Sequence, residues 1–124
     1  GGVTATGIAD GLGLAAPYSF LGGAFPGTGG SCLSTLAPAA SCTMIVRYAP
    51  GGVATHNDTI LVNYNNGVSA QVSSRNITGA GANPALITIS GAATYDWQTL
   101  LNGSVQTVSF TINNIGGVAA TGLN

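Results

Sequence analysis

The chain contains no lysine and no glutamate. Its 124 residues carry two arginines (Arg47, Arg75), three aspartates (Asp10, Asp58, Asp96) and one histidine (His56), for a formal net charge of −1. Charged residues make up 4% of the sequence, where roughly 25% is usual in a soluble domain. A chain so poor in cations has no electrostatic means of capturing nucleic acid or an anionic membrane. The glycine-rich runs at 11–13 and 27–30 are followed by no lysine, which excludes a phosphate-binding P-loop. Lys–Asn isopeptide cross-links are excluded for the same reason. No stretch of 18 apolar residues occurs, so no segment reads as a membrane-spanning helix. The chain starts without methionine or a leader-like segment, and the expectation is a processed chain or part of a longer precursor. Strong helix formers are nearly missing as well, since glutamate and lysine are absent and arginine is rare.

What remains favours strands. Thr, Ser, Asn and Gln supply the polarity, and 20 glycines punctuate the chain. The length is that of one domain able to bury a core. The near-neutral surface favours association between copies. The two cysteines, Cys32 and Cys42, bracket a short loop holding Pro38. Their spacing fits a disulfide, and a pair of reduced buried thiols is the alternative. Zinc needs about four ligands, more than two cysteines and one distant histidine supply. A disulfide closing this loop stabilises by roughly 2–3 kcal/mol and indicates an oxidising compartment, hence a secreted or cell-surface protein.

Alternation of apolar and polar residues predicts the strands. In 43–48 Met44, Val46 and Tyr48 share a face, and in 59–64 Ile60, Val62 and Tyr64 turn inward. These six form the expected core. Asn65-Asn66-Gly67 predicts a hairpin, after which Val68, Ala70 and Val72 are expected to resume the apolar face. The pattern slips at Ser73–Ser74, which predicts a bulge. Further strands are expected at 85–90 and 106–113, the latter directing Val108, Phe110 and Ile112 to a core. Strands spaced by about ten residues and separated by Gly, Asn and Pro predict an all-β sandwich.

The two ends of the chain repeat each other. Residues 1–9 read GGVTATGIA and residues 116–124 read GGVAATGLN, identical at six of nine positions. The offset from Gly1 to Gly116 is 115 residues, about one small β-domain, so the chain reads as a repeat unit cut inside a domain. The boundary is placed in GAGANP (79–84), giving segments 1–82 and 83–124.

The runs GLAAPYSFLGGAFPGTGGSC, LAPAASCTMIVRYAP, NYNNGVS and ITGAGANPALITIS resemble the choice-of-anchor D repeats of bacterial surface proteins, related to the ASPM–SPD-2–Hydin group. The resemblance spans essentially the whole chain. Its most specific parts are Phe20, Gly22, Gly23, Phe25, Pro26 and Gly27, and the Cys-x9-Cys run leading into Thr-Met-Ile-Val-Arg-Tyr-Ala-Pro. It implies an immunoglobulin-like β-sandwich in tandem arrays on secreted or surface proteins, with no catalytic residues. In the family order 83–115 precedes 1–82, so the chain is circularly permuted relative to its family.

That order shapes the functional expectation. The six residues 79–84 reach only about 20 Å when extended, against about 33 Å for a ten-residue strand. Residues 85–124 are therefore expected to complete the first part of another copy, head to tail, through Val108, Phe110, Ile112, Val118 and Leu123. Folding back onto their own chain is the alternative. The expected function is a non-catalytic subunit of an extracellular fibre, with self as partner and no cofactor or metal. The alternative is an adhesin module presenting loops to a glycan or host protein.

Other candidates have plainer readings. His56 and Asp58 share a strand face, but no nucleophile elbow accompanies them and they read as a solvent-exposed pair at a strand entry. The three aspartates lack a calcium-loop cluster and read as turn and cap residues. Tyr18, Phe20, Phe25, Tyr95 and Trp97 suit core or inter-subunit packing better than a sugar-stacking platform. Three Asn-x-Ser/Thr sequons start at Asn57, Asn76 and Asn102, a pattern that arises by chance in so Asn- and Thr-rich a chain.

Overall fold

A computed structural model describes residues 2–124; Gly1, the first residue of the duplicated nonapeptide, lies outside the described residues. The protein is all-β, with antiparallel strand pairs and no helix among the described residues. It divides into two compact units, the boundary falling between Gly81 and Ala82.

The first unit holds six strands: β1 (Ala5–Asp10), β2 (Tyr18–Phe20), β3 (Thr35–Leu36), β4 (Val46–Tyr48), β5 (Thr55–Asn65) and β6 (Ala70–Ala80). They form a four-stranded sheet in the order β3-β1-β5-β6 and a two-stranded sheet, β2-β4. The long β5–β6 hairpin is the backbone of the unit. Its connection spans four residues, 66–69, and is locked by asparagine side chains. Asn65 Oδ1 accepts the Gly67 N–H at 2.8 Å, and Asn66 Oδ1 accepts those of Val68 and Ser69 at 2.9 Å each. Gly67 adopts the positive φ of 92° that this turn requires.

The four-residue turn corrects two expectations. It consumes Val68, which is 92% exposed, and starts β6 at Ala70, opposite Asn65. Ala70 and Val72 thereby fall on the outer face with Asn63 and Asn65, and Gln71, Ser73, Arg75, Ile77 and Gly79 take the inner face. No bulge occurs at Ser73–Ser74, because pairing runs unbroken from Thr55↔Ala80 to Asn65↔Ala70. The irregularity lies in β1, between Thr6 and Ala9, where Gly7 has φ 64°.

The two sheets face each other at one end. Tyr18 and Tyr48 stack at 4.8 Å between ring centroids. The Tyr18 hydroxyl donates to the His56 carbonyl at 2.9 Å, and the Tyr48 hydroxyl lies 2.9 Å from His56 Nδ1. Close approach depends on Gly79, where an added Cβ would sit 2.7 Å from the Tyr48 ring. Burial pushes the Tyr18 phenol above its ordinary pKa of 10.0, and the neighbouring Tyr48 and Asp58 add to the shift. Phe20 meets the edge of Phe25 at 5.5 Å. Among the described residues the buried apolar side chains are Tyr18, Phe20 and Ile60.

The expected core is therefore only partly closed. Ile60 is buried; Val46, Tyr48, Val62 and Tyr64 are half-buried; Met44 is 37% exposed. Cys32 and Cys42 are joined by a disulfide, with Cα atoms 4.8 Å apart. The bond ties the loop bearing β3 to the segment entering β4, so it links the edges of the two sheets.

The second unit, Ala82–Asn124, contains one short pair, β7 (Ile87–Ile89) with β8 (Ile112–Asn114), in which Ile89 opposes Ile112 and Ile87 opposes Asn114. None of its residues is buried. The strands expected at 85–90 and 106–113 shrink to three residues each. Val108 and Phe110 lie outside any strand, and Phe110 and Ile112 are 46% and 60% exposed rather than core residues. Residues 116–124 form no strand, and Val118 and Leu123 are exposed. The reason is physical: an isolated two-stranded pair has no second layer to bury against and is marginal in water.

Candidate functional site

The face of the first unit left open by the short β2-β4 sheet is a groove of about 340 Å3. Ala5 and Ile8 from β1, Leu36 from β3, and Val62 and Tyr64 from β5 form its floor, with Met44, Phe25 and the Cys32–Cys42 disulfide along its wall. Three of the six expected core residues, Met44, Val62 and Tyr64, thus line an open cavity. Strand alternation brought them to the correct face, but no second sheet covers it.

Beside this groove runs an unpaired strand edge. Leu21 N–H donates to the Ile45 carbonyl and Ala49 N–H to the Pro17 carbonyl, each at 3.0 Å. Farther back, Ile45 N–H donates to Pro26 O at 2.7 Å, and Thr43 O accepts from Ser31 and Cys32. Residues 43, 45, 47 and 49 therefore point their main-chain groups toward β2 and the loop that follows it. In an antiparallel strand the alternate residues point the other way, so Met44, Val46 and Tyr48 offer theirs to the far edge of β4, where no strand pairs among the described residues.

The second unit has a matching edge. Ser90 N–H donates to Thr111 O and Ile115 N–H to Leu86 O, each at 2.8 Å. Residues 111, 113 and 115 thus face β7, leaving Phe110, Ile112 and Asn114 to present unpaired groups on the opposite side. On one face of this pair Ile87, Ile89 and Ile112 stand together and exposed. Phe110 packs edge-on against Tyr95 at 5.4 Å, and Tyr95 against Trp97 at 5.1 Å.

The remaining candidates resolve into local structural contacts. His56 and Asp58 do share the inner face of β5, but both are half-buried rather than solvent-exposed. Asp58 Oδ2 accepts the Ala15 N–H and Oδ1 the Thr59 N–H, each at 2.8 Å, tethering the loop before β2 to β5. Asp96 Oδ1 accepts the Gln98 N–H at 2.8 Å. No group of three metal-ligating side chains occurs among the described residues. The five aromatics singled out do not form one platform: Tyr18, Phe20 and Phe25 belong to the first unit, Tyr95 and Trp97 to the second. Asn57, Asn76 and Asn102 are all exposed, and the first two sequons lie opposite each other on the outer face of the hairpin, with Thr59 Oγ1 donating to Asn76 Oδ1 at 2.9 Å.

The buried Tyr18 and Phe20 agree with the core or inter-subunit packing expected of them, but the strand that carries them, β2, is not among the expected strands. The signal was present as an apolar-polar-apolar triplet between Pro17 and Gly22, too short to stand out as a strand. No family model matches the chain, and no curated protein or solved structure is significantly similar to it. No helix among the described residues is long and apolar enough to cross a membrane.

Proposed function

We propose that the protein is a non-catalytic structural subunit of an extracellular or cell-surface fibre, in which successive immunoglobulin-like sandwiches share strands head to tail. One observation carries this reading. The first unit has an open apolar groove beside an unpaired edge, and the second exposes apolar strand residues beside an unpaired edge of its own. Each lacks what the other presents, which is the physical basis of strand complementation. The net charge of −1 sets little repulsion against association, and the disulfide suits an oxidising compartment. The resemblance to surface-protein repeats, and the permuted order it implies, agree with this assignment.

Sedimentation and negative-stain microscopy of the purified chain test it. Linear polymers with an axial repeat near one sandwich length are expected. A dispersed compact monomer at high concentration would overturn the proposal. A second reading, glycan binding, is favoured by the exposed Tyr95–Trp97–Phe110 cluster. It predicts quenching of Trp97 fluorescence by oligosaccharides without any change in assembly.

A further inference from the structure

We infer that the unpaired edge of β4 receives residues 108–112 of a second copy, antiparallel, with Met44, Val46 and Tyr48 opposite Ile112, Phe110 and Val108. The inference rests on the strand-sharing function and assigns its interface.

Three independent features select this pairing. First, Met44, Val46 and Tyr48 in one segment and Phe110 and Ile112 in the other combine free main-chain groups with apolar side chains on one face. Met44, Val46 and Tyr48 follow the inner-face pattern set by Tyr18↔Tyr48 and Phe20↔Val46. Phe110 and Ile112 share parity with the exposed Ile87–Ile89 face. Hydrogen bonding and apolar burial are thus satisfied by the same placement, and a one-residue slip breaks both. Second, direction is fixed. Inner-face residues of two strands turn their main-chain groups toward each other only when the strands run antiparallel. Third, register is fixed by composition. A slip of two residues places an apolar residue of the β4 segment opposite Gln106 or Asn114. The product is a four-stranded sheet, β2-β4 extended by the second copy's β8 and β7, lying over the groove floor.

The occupant is a second copy because the chain is too short to supply itself. Gly79 lies against the Tyr48 ring, so β6 ends at the Tyr48 end of β4. In the inferred register Leu86, beside Ile115, falls level with residue 41, about eight residues or 26 Å along the strand. Two strand spacings and a change of sheet, about 10 Å each, bring the path to roughly 30 Å. The six steps from Ala80 to Leu86 span at most about 22 Å.

Cysteine cross-linking on the outer face reads the register directly. Arg47 and Ser109 are exposed and become a directly opposed, non-hydrogen-bonded pair, whose Cα separation of about 4.5 Å suits a disulfide. Chains bearing Arg47→Cys and chains bearing Ser109→Cys are mixed and oxidised, and the new disulfide is located by peptide mapping. We expect at least about a tenfold faster covalent dimer than with Arg47→Cys and Thr107→Cys, the pair displaced by two residues. We also expect a ladder of oligomers from the chain carrying both Arg47→Cys and Ser109→Cys. Equal rates for the two pairs overturn the register, and an exclusively internal disulfide in the doubly substituted chain overturns the second-copy occupant. Polymers that form without this cross-link defeat the inference while sparing strand sharing; absence of polymers defeats both.

Discussion

Ala5-Thr6-Gly7 and Ala120-Thr121-Gly122 are the same tripeptide in two settings. The first belongs to β1, where Ala5 opposes Leu36 and Thr6 opposes both Thr35 and Asn65. The second belongs to no strand. Yet the glycines agree, with φ of 64° at Gly7 and 75° at Gly122. Local sequence thus sets the backbone turn at glycine, whereas the strand is conferred by neighbours: β3 and β5 in the first unit, nothing comparable in the second. Strand propensity is chiefly a measure of fit to a half-buried surface, and the duplicated end has no such surface to fit.

The largest effect is expected from supplying that surface. A permuted chain of residues 82–124 followed directly by 10–81 places the second nonapeptide in the position of the first and lets 108–112 reach β4 within one molecule. It should be monomeric, more stable than the original chain by on the order of 5 kcal/mol, and protected from hydrogen exchange at Ala120–Leu123. Unprotected amides there would break the equivalence of the two ends.

Two phenylalanines separate the units at the next level. Phe20→Ala removes a buried ring and should destabilise the first unit by about 3–5 kcal/mol in denaturant titrations. Phe110→Ala should leave the unit's own unfolding nearly unchanged and instead raise the concentration needed for assembly at least about tenfold, the effect of losing a buried aromatic anchor. Equal losses of fold stability from both would mean that Phe110 is already buried in the isolated chain.

How much of this was legible in the sequence depends on how local each feature is. The hairpin at Asn65–Gly67 and the inward face of Ile60, Val62 and Tyr64 follow from turn chemistry and alternation alone. The cysteine spacing fits a disulfide but leaves reduced thiols open, and the structure has the bond. Val68, Ala70 and Val72 keep the apolar alternation, but their face depends on whether the turn takes an odd or an even number of residues, and the four residues 66–69 put Ala70 and Val72 outside. Alternation at 106–113 predicts a core face for Val108 and Phe110, but alternation reports which side is apolar and not whether a strand forms or anything covers it. The open edge of β4 was invisible for the same reason, since it is defined by a missing neighbour.

The smallest and sharpest effect concerns Gly7 and Gly122. A Cβ at either Gly7 or Gly122 meets nothing within 4 Å, so substitution acts through backbone strain alone. Gly7→Ala should cost roughly 1 kcal/mol in unfolding of the first unit, whereas Gly122→Ala should cost nothing measurable in the original chain. In the permuted chain the penalty should transfer to Gly122→Ala.

The division of the chain at Gly81 and Ala82 carries a consequence for growth. If copies join as proposed, the groove belongs to one unit and the inserted strand to the other, so any number of copies would leave one vacant groove at one tip and one uncovered strand at the other. The tips would be chemically unlike, and a polymer built this way would be a vector with a head and a tail. Isolated second units would cap one tip and isolated first units the other. Length would then be governed by terminators rather than by concentration alone.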